Sequence, residues 1–324
     1  MAAHLAHRRA MARRRIVATE NPEGTASRMR PVIAWSGARP AKRRRLLPIA
    51  TALLLSTSGW APAQAESGTA ADKRLTLAVA SSLQDSGLVD FILPLFQQST
   101  GIVVTVRAQP AGAALRLARD GKVDALLLDD YEQELKAVED GSCVDRRDIM
   151  YSDLVLIGPK VDPAGVEGMA SIIDAAKLIA SSQSLFIARG DDSYVAATER
   201  GMWEEAEVAV GSEATRSWYV VSGGDMNRTL GMAATRNGYT LTDRPSWLRF
   251  RNRGRLQIMV QDDPRLVVQF GAMAVNPARY PGVHAAAAKA FVEWLSGKDG
   301  QAAILQFKLQ DEVPYVPNYG ERGG

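Results

Sequence analysis

The stretch "RLTLAVASSLQDSGLVDFILPLFQQSTGIVVTVRA", residues 74–108, decides the fold. "RLTLAVA" (74–80) is a run of apolar and β-favouring residues and reads as a strand. In the next segment Leu88, Phe91, Ile92, Leu95 and Phe96 recur at helical spacing. Asp85 or Ser86 can cap that helix and Gly101 ends it. "IVVTVRA" (102–108) is a second strand. A strand, a helix and a strand in this order form a crossover unit, which places the two strands parallel.

The pattern continues outward. "GAALRLARDG" is a short helix, "VDALLLD" (123–129) a buried strand, "YEQELKAVEDG" an exposed helix and "DLVLIGP" (153–159) another strand. After the turn-rich "KVDPAG", strands are expected at 184–188, 217–221, 239–243 and 255–260, separated by helices, and "RLVVQFGAMAVNP" (265–277) reads as one long strand. "HAAAAKAFVEWLSG" and "KDGQAAILQFKLQ" close the chain as helices. The fold class is α/β with largely parallel sheets. The length suits two lobes. The expected division is 70–158 plus 265–324 for lobe one and 159–264 for lobe two, with crossings after 159 and along 265–275. A ligand would then lie in the cleft between lobes, closed by a hinge.

The net charge of +3 is unevenly spread. Residues 1–65 hold 12 Lys/Arg and two acids, Glu20 and Glu23, so residues 66–324 carry 27 bases against 34 acids, a net of −7. The basic pI belongs to the N-terminal segment and gives no case for nucleic-acid binding. That segment has a basic run (Lys42 to Arg45), an apolar run (Leu46 to Leu55) and the small-residue site Ala63-Gln64-Ala65. This is the layout of a secretory signal cleaved after Ala65. The apolar run is too short for an ordinary spanning helix, so no stable membrane insertion is expected after cleavage. Residues 1–28 precede the signal, and Met29 offers an alternative start. The expected product is an exported, periplasmic monomer.

The single cysteine, Cys143, excludes an intrachain disulfide, and only His284 lies beyond the signal. That inventory supplies no His-based metal site, Cys/His dyad or Ser-His-Asp triad. No cofactor or metal is expected and the chain does not read as an enzyme. The carboxylates of "GDD" (190–192) are hard-cation donors in principle, but the adjacent arginine argues against that use.

In open α/β sheets, ligands bind outside the carboxyl ends of strands. Three ends carry suitable groups. Ser81 and Ser82 leave the first strand and offer hydroxyls, or ordinary caps and turns. Gly112, in "AQPAGAAL", lets backbone approach a ligand, or simply makes a turn. Arg189, in "FIARGDDSYVAATER" (186–200), offers a planar cationic fork for carboxylate, phosphate or an oxoanion. Asp191 and Asp192 stand beside it as possible ion-pair partners, Ser193 opens the next helix, and Tyr194 faces either the cleft or the core. At Thr242-Asp243-Arg244 an interlobe ion pair competes with ligand contact; Asp262, Asp263 and Arg265 read as a solvated hinge. Trp203, Trp218, Trp247 and Trp294 read as core.

The stretches "DSGLVDFILPLFQQSTG", "GAALRLARDGKVDALLLDD", "MYSDLVLIGPKVDPAG", "FIARGDDS", "NGYTLTDRPSWL" and "QFGAMAVNP" resemble the tungstate-binding periplasmic proteins of the TupA type, from about Leu75 to Pro317. The resemblance implies a two-lobed periplasmic binding protein fold of type II kind. It also implies a role as the substrate-binding component of an ABC transporter, with a small anionic ligand, tungstate or molybdate, and a permease as partners. It places Ser81, Ser82, Gly112, Arg189, Ser193 and Tyr194 at the ligand. The family pattern has threonine at positions 79, 80, 111 and 195, and glycine at 194; here Val79, Ala80, Ala111, Val195 and Tyr194 stand there. A hydrogen bond to a charged ligand is worth about 1.5–3 kcal/mol, so these replacements bear on the ligand's identity. The alternative expectation is a periplasmic sensory or accessory protein with a carboxylate-bearing or larger ligand.

Overall fold

The computed structural model describes residues 73–320. The signal segment read in residues 1–65, with its cleavage site, lies outside the described residues.

The crossover unit forms as the apolar pattern requires. Strand β1 (Arg74–Ala80) leads into a short helix α1 (Ser81–Ser86), helix α2 (Leu88–Thr100) and strand β2 (Val103–Gln109). β1 and β2 pair in parallel, Arg74 against Val103 through Ala80 against Gln109. The expected helix forms as α2; the short helix α1 before it was not expected, and Gly87 (φ 81°) turns the chain between them. Ser86 Oγ accepts the Leu88 N–H at 3.2 Å, while Asp85 does not cap α2. Gly101, at φ 72°, ends α2 as expected. Its buried face is Leu88, Val89, Ile92 and Phe96; Phe91 and Leu95 remain half exposed.

Helix α3 (Ala111–Arg119), strand β3 (Ala125–Leu128) and helix α4 (Tyr131–Glu139) follow. β3 lies parallel to β1, Leu77 against Ala125. Strand alternation sorts the sheet's side chains into two layers. Leu75, Leu77, Val79, Ala125 and Leu127 join the main core, with Phe96 of α2. Ala78, Leu126 and Leu128 join a second core with Ala114, Leu115 and Ala118 of α3. Cys143, in that second core, is fully buried, and burial pushes its thiol up to about 12.

Strand β4 (Cys143–Pro159) is longer than the expected 153–159. Its first part pairs antiparallel with strand β9 (Val267–Val275), through register shifts at Val144/Arg147 and Asp148/Met150. Those bulges break the period-two pattern by which a strand is read. From Leu154 to Pro159, β4 pairs instead with strands β7 (Thr240–Asp243) and β8 (Leu256–Val260). It thus changes partners between Asp153 and Leu154. The sheet order is β10-β4-β9-β3-β1-β2, where β10 is Val316–Pro317. The sheets are therefore mixed rather than largely parallel, because β4 and β9 both run antiparallel to their neighbours. The segment read as one strand from 265 starts as a 3₁₀ turn (Pro264–Leu266) before β9.

The chain after β4 holds helix α5 (Ile172–Ser181), strand β5 (Phe186–Ala188), helix α6 (Tyr194–Glu205), strand β6 (Tyr219–Val221) and helix α7 (Met226–Arg236). β5 pairs in parallel with β6, and a parallel bridge between Phe186 and Tyr239 joins it to the start of β7. Helix α7 ends on Asn237 (φ 53°) rather than on Gly238. Helix α8 (Arg244–Arg249), unexpected from the sequence, follows β7 directly. The chain closes with helices α9 (Ala285–Ser296) and α10 (Lys298–Gln306). Trp203, Trp218 and Trp247 are buried and Trp294 packs partly buried against the same core.

Glu199 of α6 is 2 % exposed, and its carboxylate accepts the Tyr219 hydroxyl at 2.8 Å. Burial raises Glu199 to about 7 despite that bond. A carboxyl group raised on folding contributes stability below its unfolded pKa and loses it as pH rises through the folded one. At roughly 1.4 kcal/mol per pKa unit, ionising Glu199 costs about 3 kcal/mol between pH 4.5 and pH 8. Glu199→Gln keeps an acceptor for Tyr219 and is expected to lose much less stability across that interval. Thermal melts of both proteins at pH 5 and pH 8 check this; equal losses contradict it.

Candidate functional site

Parallel pairing brings the carboxyl ends of β2, β1 and β3 together in one set, and those of β6, β5 and β7 in a second. Arg249 on α8 links the two sets, its Nη1 donating to the Ser86 carbonyl at 3.3 Å.

In the first set Ser81 and Ser82 begin α1, directly past β1. Ser82 Oγ donates to Asp129 Oδ2 at 2.9 Å, across the gap from β1 to β3. Ser81 is half buried, and its hydroxyl has no bond among the described residues. Gly112 is the second residue of α3, where an added Cβ would meet Gln133 Oε1 at 3.5 Å and Arg116 Nη1 at 4.0 Å. The fold does not require glycine there, which is consistent with room left for a ligand. Gln133 in turn donates to Asp130, the N-cap of α4.

In the second set Arg189 follows β5. Both the ion pair and an open cationic end exist at this residue. Nε donates to Asp191 Oδ2 at 2.7 Å, while Nη1 and Nη2 have no hydrogen-bond partner among the described residues. Gly190 permits the turn: its φ is 76°, and an added Cβ would overlap Val221 Cγ1 on β6. Ser193 is the N-cap of α6, accepting from Ala196 N at 3.3 Å and donating to Asp191 Oδ1 at 2.5 Å. With Arg189 and Ser193 both bonded to it, the Asp191 carboxyl is held below its ordinary range, although partial burial opposes this. Asp192 is exposed. Tyr194, half buried, is the first residue of α6, with no bond to its hydroxyl among the described residues. Burial raises that phenol well above its usual value, and Asp243 and Asp129 reinforce the rise while Arg189 opposes it.

Three carboxylates lie near these ends: Asp129, which the sequence reading passed over, Asp85, read there only as a helix cap, and Asp243, read there within the Thr242-Asp243-Arg244 cluster. Asp129 is raised to about 6 by burial, which outweighs the Ser82 hydrogen bond. Asp85 is raised by burial, with Arg189 pulling it back down. Asp243 caps α8, accepting from Ser246 N at 2.8 Å, and burial raises it too. The strand-end rule that selected Ser81 and Arg189 applies equally to Asp129 and Asp243, each the residue at or just past the end of a strand.

Other expectations resolve as follows. Arg244, the first residue past β7, is buried and makes an ion pair to Asp153. Asp263 is buried rather than solvated, accepting from Ile172 N and Arg265 N. Val79 and Val195, where the family pattern has threonine, are core residues. A surface hollow of about 520 Å³, lined by Asp90, Leu93, Pro94, Gln97, Gln98 and Val104, lies between α2 and β2 and away from the strand ends. Among the described residues no group of His, Cys, Asp and Glu has metal-site geometry, and no helix is long and apolar enough to cross a membrane.

A model of the PBP superfamily domain matches residues 57–298. The tungstate-binding protein TupA of Peptoclostridium acidaminophilum is 36% identical over 82% of this chain and 94% of its own. The chain belongs to the TupA-like family of periplasmic binding proteins. Solved structures of the family agree. The tungstate-binding protein TupA from Desulfovibrio alaskensis G20 superposes with a TM-score of 0.69 at 35% identity, covering 76% of this chain and 99% of that one. The tungstate ABC transporter structure from Geobacter sulfurreducens gives a TM-score of 0.64 at 36% identity, covering 73% and 99%. The TupA-like family fold is two-lobed, in keeping with the partner change along β4.

Proposed function

We propose that this chain is the periplasmic solute-binding protein of an ABC transporter, capturing an oxoanion between its lobes for delivery to a permease. The observation that carries the reading is the open end of Arg189. Its two terminal nitrogens stand free at a strand end, in a loop that Gly190 shapes, and a tetrahedral oxoanion matches that fork. Tungstate and molybdate enter as ligands through the names of the relatives. Ser81 adds an uncommitted hydroxyl, Tyr194 a second, and Gly112 room for backbone approach. Ser82 and Ser193 shape the site through the carboxylates they hold. Lobe one comprises 70–158 plus 265–324 and lobe two 159–264, with one crossing inside β4 at Asp153–Leu154, a few residues before that boundary. The protein acts as a monomer in the periplasm after cleavage at Ala65, and it performs no catalysis.

Isothermal titration with tungstate, molybdate, sulfate and phosphate tests the reading. Saturable one-to-one binding of at least one of them is expected. No heat and no thermal shift with any of the four, beside a folded control, would sink it.

A further inference from the structure

We infer that Ser222 is a positioning residue for ligand capture: it fixes the backbone on both sides of Arg189 and so sets where the guanidinium fork stands. The inference rests on the oxoanion reading above. A side chain leaves the backbone in a direction set by the two planar peptide units that meet at its Cα. At Arg189 those units carry the Ala188 and Arg189 carbonyls. Ser222, the first residue past β6, donates to both of them. Its N–H reaches Ala188 O at 2.8 Å and its Oγ reaches Arg189 O at 3.3 Å. The first bond extends the pairing of β5 with β6, and any residue but proline could supply it. The second requires a hydroxyl. Gly190 follows at φ 76°, and glycine is the most permissive backbone, so the carbonyl ahead of it needs an outside donor.

Ser222 is in turn held by α7. It is 4 % exposed, and its Oγ lies 2.8 Å from Oγ1 of the fully buried Thr229. Each hydroxyl has one proton to give. The Asp225 carbonyl, 2.9 Å from Thr229 Oγ1, already accepts the Thr229 N–H at 3.0 Å. Thr229 can therefore turn its proton to Ser222 Oγ, which leaves the Ser222 proton for the Arg189 carbonyl. Arg228 adds a third tie, its Nε donating to the Ser222 carbonyl at 3.0 Å. Gly224 leaves the space for that tie, since an added Cβ there would overlap Arg228 Cδ. Helix α7 thus grips Ser222 by side chain and carbonyl, and Ser222 grips Arg189.

The test is calorimetric titration of the wild-type protein and four variants with tungstate, molybdate, sulfate and phosphate, beside a thermal melt of each protein. Ser222→Ala is expected to weaken binding of the anion that the wild type takes most tightly by about three- to tenfold, the weight of one neutral hydrogen bond. Thr229→Val keeps the shape of the side chain without its hydroxyl and is expected to do the same. Thr229→Ser keeps the hydroxyl and is expected to bind as the wild type does. Thr240→Val is the control. Thr240 is fully buried and donates to the Ile187 carbonyl at 2.8 Å, on the same strand but in neither peptide unit that flanks Arg189. Its loss is expected to lower the melting temperature and leave affinity unchanged. Wild-type affinity in Ser222→Ala overturns the inference while leaving oxoanion capture standing. So does equal weakening by Thr240→Val, which would mean that loosening β5 anywhere has this effect. Thr229→Ser that binds as weakly as Thr229→Val assigns the effect to packing and overturns it too. Should Ser222→Ala not fold, the Thr229 pair carries the test alone. Wild-type protein that binds none of the four anions overturns capture itself, and this inference with it.

Discussion

Asp153→Ala is expected to lose about 3–5 kcal/mol of stability, the cost of leaving a buried charge without its partner. Arg244 is 2 % exposed, and its guanidinium holds Asp153 through Nε at 2.8 Å and Nη2 at 2.6 Å. Gln261 Oε1 adds an acceptor at 3.1 Å, while Glu312 stands 3.9 Å away and half exposed, too far to replace the lost carboxylate. The pair sits where β4 changes partners, and Arg244 directly follows Asp243, the cap of α8. Its loss therefore reaches both the partner change in β4 and the cap of α8. Replacing both partners together, as Asp153→Leu with Arg244→Met, removes both charges and is expected to cost much less. Chemical denaturation of the single and double variants measures the difference. A single variant within about 1 kcal/mol of wild type would show that the ion pair contributes little.

Arg189→Ala is expected to weaken oxoanion binding by at least about a hundredfold, since two charge-assisted hydrogen bonds from the free terminal nitrogens are lost. Arg189→Lys keeps a positive charge without the fork and is expected to fall between the two. Neither change should lower stability by more than about 1 kcal/mol, because the Asp191 partner is a half-exposed carboxylate. That combination separates ligand contact from a structural role. A large fall in melting temperature with unchanged affinity would mean that the ion pair, and not the ligand, is what Arg189 serves.

The legibility of the sequence divides along physical lines. Elements whose apolar pattern has one period were plain, as in β1, α2 and β3, where alternate side chains enter two separate cores. The first half of β4 was not, since its bulges place Arg146, Arg147 and Asp148 in a strand without alternation. Helix α8 was hidden because Asp243 both ends a strand and caps the helix, leaving no linker to mark the change. Arg189 was visible as a strand-end cation; its Nε serves the Asp191 ion pair, and its Nη1 and Nη2 have no hydrogen-bond partner among the described residues. Asp129 was passed over because a carboxylate is not a group one seeks in an anion site. Its meaning depends on the Ser82 contact, which joins residues 47 positions apart.

The most direct measurement is native mass spectrometry of the wild-type protein and Arg189→Ala, each incubated with phosphate, arsenate, molybdate, tungstate and sulfate. A one-to-one oxoanion adduct on the wild type, absent from Arg189→Ala, is the expected result. Equal adducts on both proteins, or none on either, would contradict capture of an oxoanion by the Arg189 fork.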